Sequence, residues 1–290
     1  MNYKAIVSQS PRRRGDTFLD RLPTLRGYAG TDRVNRFARR VVLLMCMVTG
    51  MAACRPEFNP KLYPNPEDLF NAGMAEFNAR RWGNAAKAFE QLSNSLPVRD
   101  SLLPLAYFYL GQAHSKNGEH LLAATSFYRL SEALPEDTLA DDALYRSGVE
   151  YAKMWRKPDL DPQYGTSALN TLQTLLVLYP ESPLVADAQT LIDKLNNMFA
   201  RKDFNTGYSY FRRRAYDSAI IYFKDVLRLH PTSPAARDAA LYLLEAYRKI
   251  KYTADARDLC EEMQKTYPND SEVREKCGSA SSAEASTPRT

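Results

Sequence analysis

Apolar residues recur at three- and four-residue spacing in successive blocks between residues 67 and 266, and no stretch sustains a period of two. That periodicity belongs to amphipathic helices, so the chain reads as all-α. Leu69, Phe70, Met74 and Phe77 mark a first helix over residues 67–80, and a partner follows over 85–96. The same reading predicts helices over 105–116, 121–134, 140–155, 167–178, a longer one from 184 to about 201, then 234–251 and 253–266. Asn117-Gly118 punctuates one pair as a turn. Residues 157–165 (KPDLDPQYG) interrupt another with two prolines and a glycine.

The blocks share a frame. Gly207, Tyr210, Ala219, Phe223 and Pro231 stand at the offsets of a tetratricopeptide repeat, a helix hairpin. Small Gly and Ala let the two helices approach, the aromatic residues fill the gap, and Pro ends the second helix. Gly73, Ala85, Phe89 and Pro97 repeat the spacing of twelve, four and eight residues, as do Gly111, Ala123, Phe127 and Pro135. Ala168, Leu172 and Pro180 keep the second half, preceded by Gly148 and Tyr151 with eight extra residues between the halves. Leu244, Ala256, Cys260 and Pro268 close the series with weaker residue types. The expected fold is a superhelix of five hairpins, about 66–97, 103–135, 138–180, 200–231 and 235–268, within a repeat domain over 67–270.

Charge changes the picture at the N-terminus. The net charge is +5, but residues 1–53 hold 10 Lys/Arg and 3 Asp/Glu, leaving 29 of 39 basic and 31 of 34 acidic side chains for the rest. The body is therefore not basic, which argues against nucleic acid as a partner. Arg33, Arg36, Arg39 and Arg40 precede an apolar run of 13 residues, Val41 to Ala53. A positive region followed by an apolar run too short to span a bilayer describes an export signal. Met51-Ala52-Ala53-Cys54 resembles a bacterial lipobox, with Met where Leu is usual, which implies lipidation of Cys54. The alternative is a plain secretory signal with an incidental Cys. Arg55 after that Cys points, by resemblance to enterobacterial lipoproteins, to the outer membrane, with the protein facing the periplasm. The first 30 or so residues exceed an ordinary signal, and translation is expected to start after them. Residues 54–66, with four prolines, read as a tether, and 271–290 as a mostly disordered tail.

Chemistry is sparse. His114 and His120 are six apart with Asn117-Gly118 between them, His230 precedes Pro231, and no Cys pair has metal-ligand spacing. No phosphate-binding glycine loop or nucleophile elbow occurs, so neither a cofactor nor catalysis is expected. Cys260 and Cys277 remain after the signal and lipidation cysteines are set aside. In an oxidising compartment they could form a disulfide, or Cys260 could serve as a small buried apolar side chain.

Three segments carry a more specific resemblance. Asp161-Pro162-Gln163-Tyr164 with Ala168-Leu169, Leu175 and Tyr179-Pro180-Glu181-Ser182-Pro183 resembles the third repeat of the BamD family. Tyr210-Phe211, Ala215-Tyr216, Ala219 and Tyr222-Phe223 with Leu227 resemble its fourth repeat, and Ala239 to Tyr247 with Tyr267-Pro268 its fifth. The likeness spans about Pro66 to Pro268 and includes the lipobox and the insertion in repeat three. It implies a non-catalytic lipoprotein of the outer-membrane β-barrel assembly machine. Such a protein docks on the POTRA domains of BamA, can meet other assembly lipoproteins, and receives unfolded outer-membrane proteins. On that resemblance the concave, peptide-binding residues would be Phe70, Met74, Phe77, Asn78, Leu105, Phe108, Gln112, Ser115, Lys116, Tyr145 and Lys153. Arg212, Arg213, Arg214, Tyr222 and Lys224 would face BamA.

Two other readings compete. One is a tetratricopeptide lipoprotein coordinating peptidoglycan or other envelope machinery. The other is a lytic enzyme on a helical superhelix, disfavoured because only about twenty residues follow Pro268.

Overall fold

In the computed structural model, residues 58–284 are described, and among them lie eleven α-helices and no strand. The expected leader, the lipobox with Cys54, and residues 55–57 of the tether lie outside the described residues. Consecutive helices pair as hairpins. Helix α1 (Pro66–Asn78) packs on α2 (Trp82–Ser95), α3 (Leu102–Lys116) on α4 (His120–Ala133), and α5 (Ala140–Met154) on α6 (Gln163–Leu178). Next come α7 (Val185–Arg212), α8 (Tyr216–Leu229), α9 (Pro234–Lys249), α10 (Thr253–Thr266) and α11 (Ser271–Glu284). A short 3-10 turn, Pro60–Leu62, precedes them. Asn65 opens α1 by accepting from the Glu67 amide, with Pro66 in the first turn, where its missing N–H costs nothing.

The repeat frame is a packing rule. Ala219 and Phe223 of α8 are fully buried, and a Cβ placed on Gly207 of α7 would stand 2.9 Å from the Phe223 ring. The missing side chain on one helix thus makes room for the ring on the other, which itself contributes about 2–3 kcal/mol of apolar burial.

The 28-residue α7 belongs to two repeats at once. Ala188, Ile192 and Leu195 share a core with Ala168, Leu172 and Leu175 of α6, while Ala200 and Phe204 share the next core with Ala219 and Phe223. The predicted end near Arg201 is not observed, because no Pro or Gly stands between Val185 and Thr206 to stop it. At about 1.5 Å per residue the helix runs some ~42 Å as one strut.

Two further boundaries differ from expectation. Helix α6 starts at Gln163, so Gly165 lies inside it rather than breaking it. A Cβ there would fall within 2.1 Å of the Trp155 ring, which is buried against it. Within the tail 271–290, expected to be mostly disordered, Ser271–Glu284 forms α11. Asp270 caps it by accepting from the amides of Glu272 and Val273 at 3.0 and 3.2 Å. Val273 and Cys277 are buried against α9 and α10, and Cys277 is disulfide-bonded to Cys260.

Four hairpin or helix-end turns use the left-handed region. Arg80, Arg214 and Lys251 have φ of 59°, 63° and 63°, and Gly118 has 80°. They occupy the same place after the first helix of repeats one, two, four and five. Repeat three lacks this turn because residues 157–162 replace it.

Candidate functional site

Between α3 and α5 lies a cavity of about 460 Å³ lined by Gln112, Ser115, Lys116, Tyr145, Arg146 and Lys153, among others. Gln112, Ser115 and Lys116 sit on one face of α3 because they are spaced three and four residues apart. Tyr145 and Lys153 are eight apart on α5 and so share a face two turns distant. The cavity combines three cations with an amide, a phenol and a hydroxyl; Arg146 is paired with Asp142 and Lys153 with Glu150, and the set can pair the backbone and carboxylate of a peptide.

Glu150 fixes this wall. Its side chain, with the residue only 4 % exposed, accepts from Ser115 Oγ at 2.6 Å, from Lys153 Nζ at 2.6 Å and from His120 Nδ1 at 2.7 Å. Burial pushes its carboxyl up, but the hydrogen bonds from Lys153, Ser115 and His120 outweigh burial and hold it below its ordinary range. The carboxylate therefore ties α3, the start of α4 and α5 into one unit and leaves Lys153 held at the cavity edge. Tyr145 titrates above its ordinary range, first because it is partly buried and then because Asp187 is near.

The predicted groove residues divide. Gln112, Ser115, Lys116, Tyr145 and Lys153 come together around this cavity. Phe70 and Phe77 do not form open pockets. Both pack on Tyr109, with ring centroids 6.0 and 5.5 Å away, and Phe77 also meets Trp82 at 5.0 Å. Met74 and Leu105 are half-buried, and Asn78 is exposed at the end of α1. Phe108 is buried on Phe127 beneath the Arg146 guanidinium, which lies 5.2 Å from its ring centre, so that ring is core rather than lining. Sequence reasoning passed over Tyr109, Arg146 and Glu150. Tyr109 carried a signal, since it follows Leu105 by four residues on the same helical face.

The residues expected to face a partner subunit do not line one cavity. Arg212 and Arg213 border a space of about 520 Å³ with Asp159, Asn205 and Tyr208. Arg214 forms the left-handed turn, Tyr222 stacks on Tyr210 at 5.5 Å, and Lys224 borders a separate cavity with Asp255 and Asp258. The insertion is docked beside the first of these. Lys202 Nζ donates to the carbonyls of Leu160 and Pro158 at 3.0 and 3.4 Å, and Asn205 donates to Asp159 at 2.9 Å. Residues 157–162 thereby fasten repeat three to the middle of α7.

Among the described residues no group of three metal-ligating side chains comes together, and no helix is long and apolar enough to cross a membrane.

A family model described as "YfiO: Outer membrane lipoprotein" matches residues 64–275, which covers every helix up to the start of α11. The chain is similar to an outer membrane protein assembly factor BamD of Vibrio cholerae, with 26% identity over 211 residues, 67% of this chain and 86% of that one. It is 25% identical to the protein of that name from Caulobacter vibrioides over 195 residues, 66% of this chain and 62% of the other, so less than two thirds of that relative is spanned. Among solved structures, the TPR2AB domain of yeast Sti1 is similar at 14% identity and a TM-score of 0.36, over 76% of this chain and 84% of that one.

Proposed function

Because the chain belongs to the YfiO outer membrane lipoprotein family, we propose that it is a non-catalytic scaffold of the outer-membrane β-barrel assembly machine. The observation that carries the reading is the polar cavity between α3 and α5, with Lys116 and Lys153 at its wall and Glu150 holding that wall within a repeat stack of this family. An unfolded outer-membrane protein is received there in extended form. Gln112, Ser115 and Tyr145 pair its amides, and Lys116 meets its terminal carboxylate, with Lys153, held by Glu150, adding positive charge beside it. The half-buried rings around Tyr109 form a rigid floor to one side, with Met74, Asn78 and Leu105 at its margin.

The C-terminal repeats dock on the POTRA domains of a BamA-like barrel protein. Arg212 and Arg213 are exposed beside the insertion, and with Arg214 they offer three guanidinium groups to an acidic surface. Tyr222 and Lys224 on α8 extend that contact. Cys54 carries lipid and holds the protein on the periplasmic face of the outer membrane, with residues 54–66 as tether and the repeat domain running from 67 to about 270.

The test is affinity capture of the tagged full chain from detergent-solubilised envelopes. Recovery of a POTRA-bearing barrel protein in near-equal amount supports the reading. Recovery of cell-wall factors without a barrel protein favours the envelope-coordinator role instead.

A further inference from the structure

A second cavity, of about 510 Å³, lies on the far side of Lys153 between α5 and α7. Its chemistry differs from the first. Leu191, Leu195 and Met198 of α7 line one wall, and Trp155 joins them just past the end of α5. Trp155 is held in place by Phe199, at a ring separation of 4.4 Å, and by Gly165, where no side chain could be accommodated. Its indole Nε1–H is buried and has no hydrogen-bond acceptor among the described residues.

The rim is cationic. Arg156 donates only to the Lys153 carbonyl, and neither Arg156 nor Lys194 has a carboxylate partner among the described residues. Lys153 is already committed to Glu150. Both Arg156 and Lys194 are exposed, so their charge is available at the mouth.

The walls decide what kind of molecule fits. Helix α7 runs without a break past the cavity, and where α5 ends at Met154 the Lys153 carbonyl is already taken by Arg156, so the walls offer few free backbone groups. An extended peptide entering here would bury its own amides without partners, at a cost its apolar contacts would have to offset. A molecule with one anionic end and a plain hydrocarbon chain has no such groups to lose. We infer that this cavity binds a single-chain anionic amphiphile, with its carboxylate on Arg156 and Lys194 and its chain along Leu191, Leu195 and Met198 towards Trp155. The volume lies within the range of ordinary small-molecule sites. The inference goes beyond the scaffold function and does not depend on it.

Dodecanoate is the probe. The full chain, held in neutral phosphatidylcholine vesicles and carrying Trp82→Phe so that Trp155 alone reports, is titrated while tryptophan emission is followed. The expected result is a saturable change in emission. The double variant Arg156→Glu/Lys194→Glu should weaken binding at least tenfold without moving the melting temperature, since both side chains are exposed. Dodecanol, which has the chain without the charge, should bind at least tenfold more weakly than dodecanoate. Calorimetry on the wild-type chain checks that Trp82→Phe has not altered the fold. Absence of saturable binding overturns the inference. So does equal binding of the acid and the alcohol, or indifference to the double variant, since either means unspecific partitioning. Tighter binding of a short acidic-apolar peptide than of dodecanoate, lost in the double variant, also overturns it and makes the cavity a peptide site.

Discussion

Ser115 Oγ lies 2.6 Å from Glu150 Oε1, joining the first helices of two neighbouring repeats across 35 residues of sequence. The hydroxyl donates and the buried carboxylate accepts, while Lys153 and His120 occupy its other positions. Removing the carboxylate leaves the half-buried Ser115 and His120 short of a partner and frees the exposed Lys153. Glu150→Ala should destabilise by about 2–3 kcal/mol and Ser115→Ala by about 1 kcal/mol. Urea unfolding of the two single variants and the double measures both, and the shortfall from additivity reports their coupling.

The left-handed turns predict the opposite sign. Arg80 and Lys251 hold φ near +60° at the cost that any residue with a Cβ incurs there. Arg80→Gly and Lys251→Gly should each stabilise by up to about 1 kcal/mol, whereas Arg80→Val should destabilise by a similar or larger amount. Thermal denaturation of the three variants is a sufficient check.

Trp155 depends on the bare backbone at Gly165. A methyl group there would overlap the indole, so Gly165→Ala should cost about 1–3 kcal/mol and shift the tryptophan emission. Gly83, with open space around its Cβ position, is the control, and Gly83→Ala should be neutral or mildly stabilising.

The C-terminal helix is held by chemistry as well as by packing. The Cys260–Cys277 bridge closes a separation of 17 residues, which on the chain-entropy account is worth roughly 3 kcal/mol. Reduction, or Cys277→Ser, should lower the melting temperature and expose the bonds of α11 to protease before the rest of the chain.

Beside that bridge, Arg237 holds the Asp270 carboxyl down to about 2, and the Val273 amide assists. A depressed carboxyl stabilises the fold fully above its unfolded value of about 4 and loses that contribution as pH falls towards its folded value. The cap on α11 should therefore hold at pH 5 and weaken between about pH 4 and 2. A carbon NMR titration of Asp270 should show the low midpoint, and Arg237→Ala should move it back towards 4.

How far the sequence could be read depended on the range of each interaction. Gly207, Ala219 and Phe223 encode one hairpin within 17 residues, so their spacing was enough to pair its two helices, but not to show that the first continues back to Val185. Glu150 looks like a solvated charge by sequence, and only the packing of α5 on α3 reveals Ser115 as its partner. Phe108 appeared as a groove residue because its helical face was right, yet Arg146 from the next repeat covers it. The tail misled by composition: residues 278–290 are small and polar, but Val273, Cys277 and the Asp270 cap suffice to start a helix.

The most direct test of the scaffold account is a photoreactive residue placed at Tyr145, at the wall of the α3–α5 cavity, and activated in living cells. The account predicts crosslinks to unfolded outer-membrane β-barrel proteins, lost when Lys116 and Lys153 are both changed to Glu. Crosslinks to cell-wall enzymes alone, or crosslinks to barrel precursors that persist in the double variant, would contradict it.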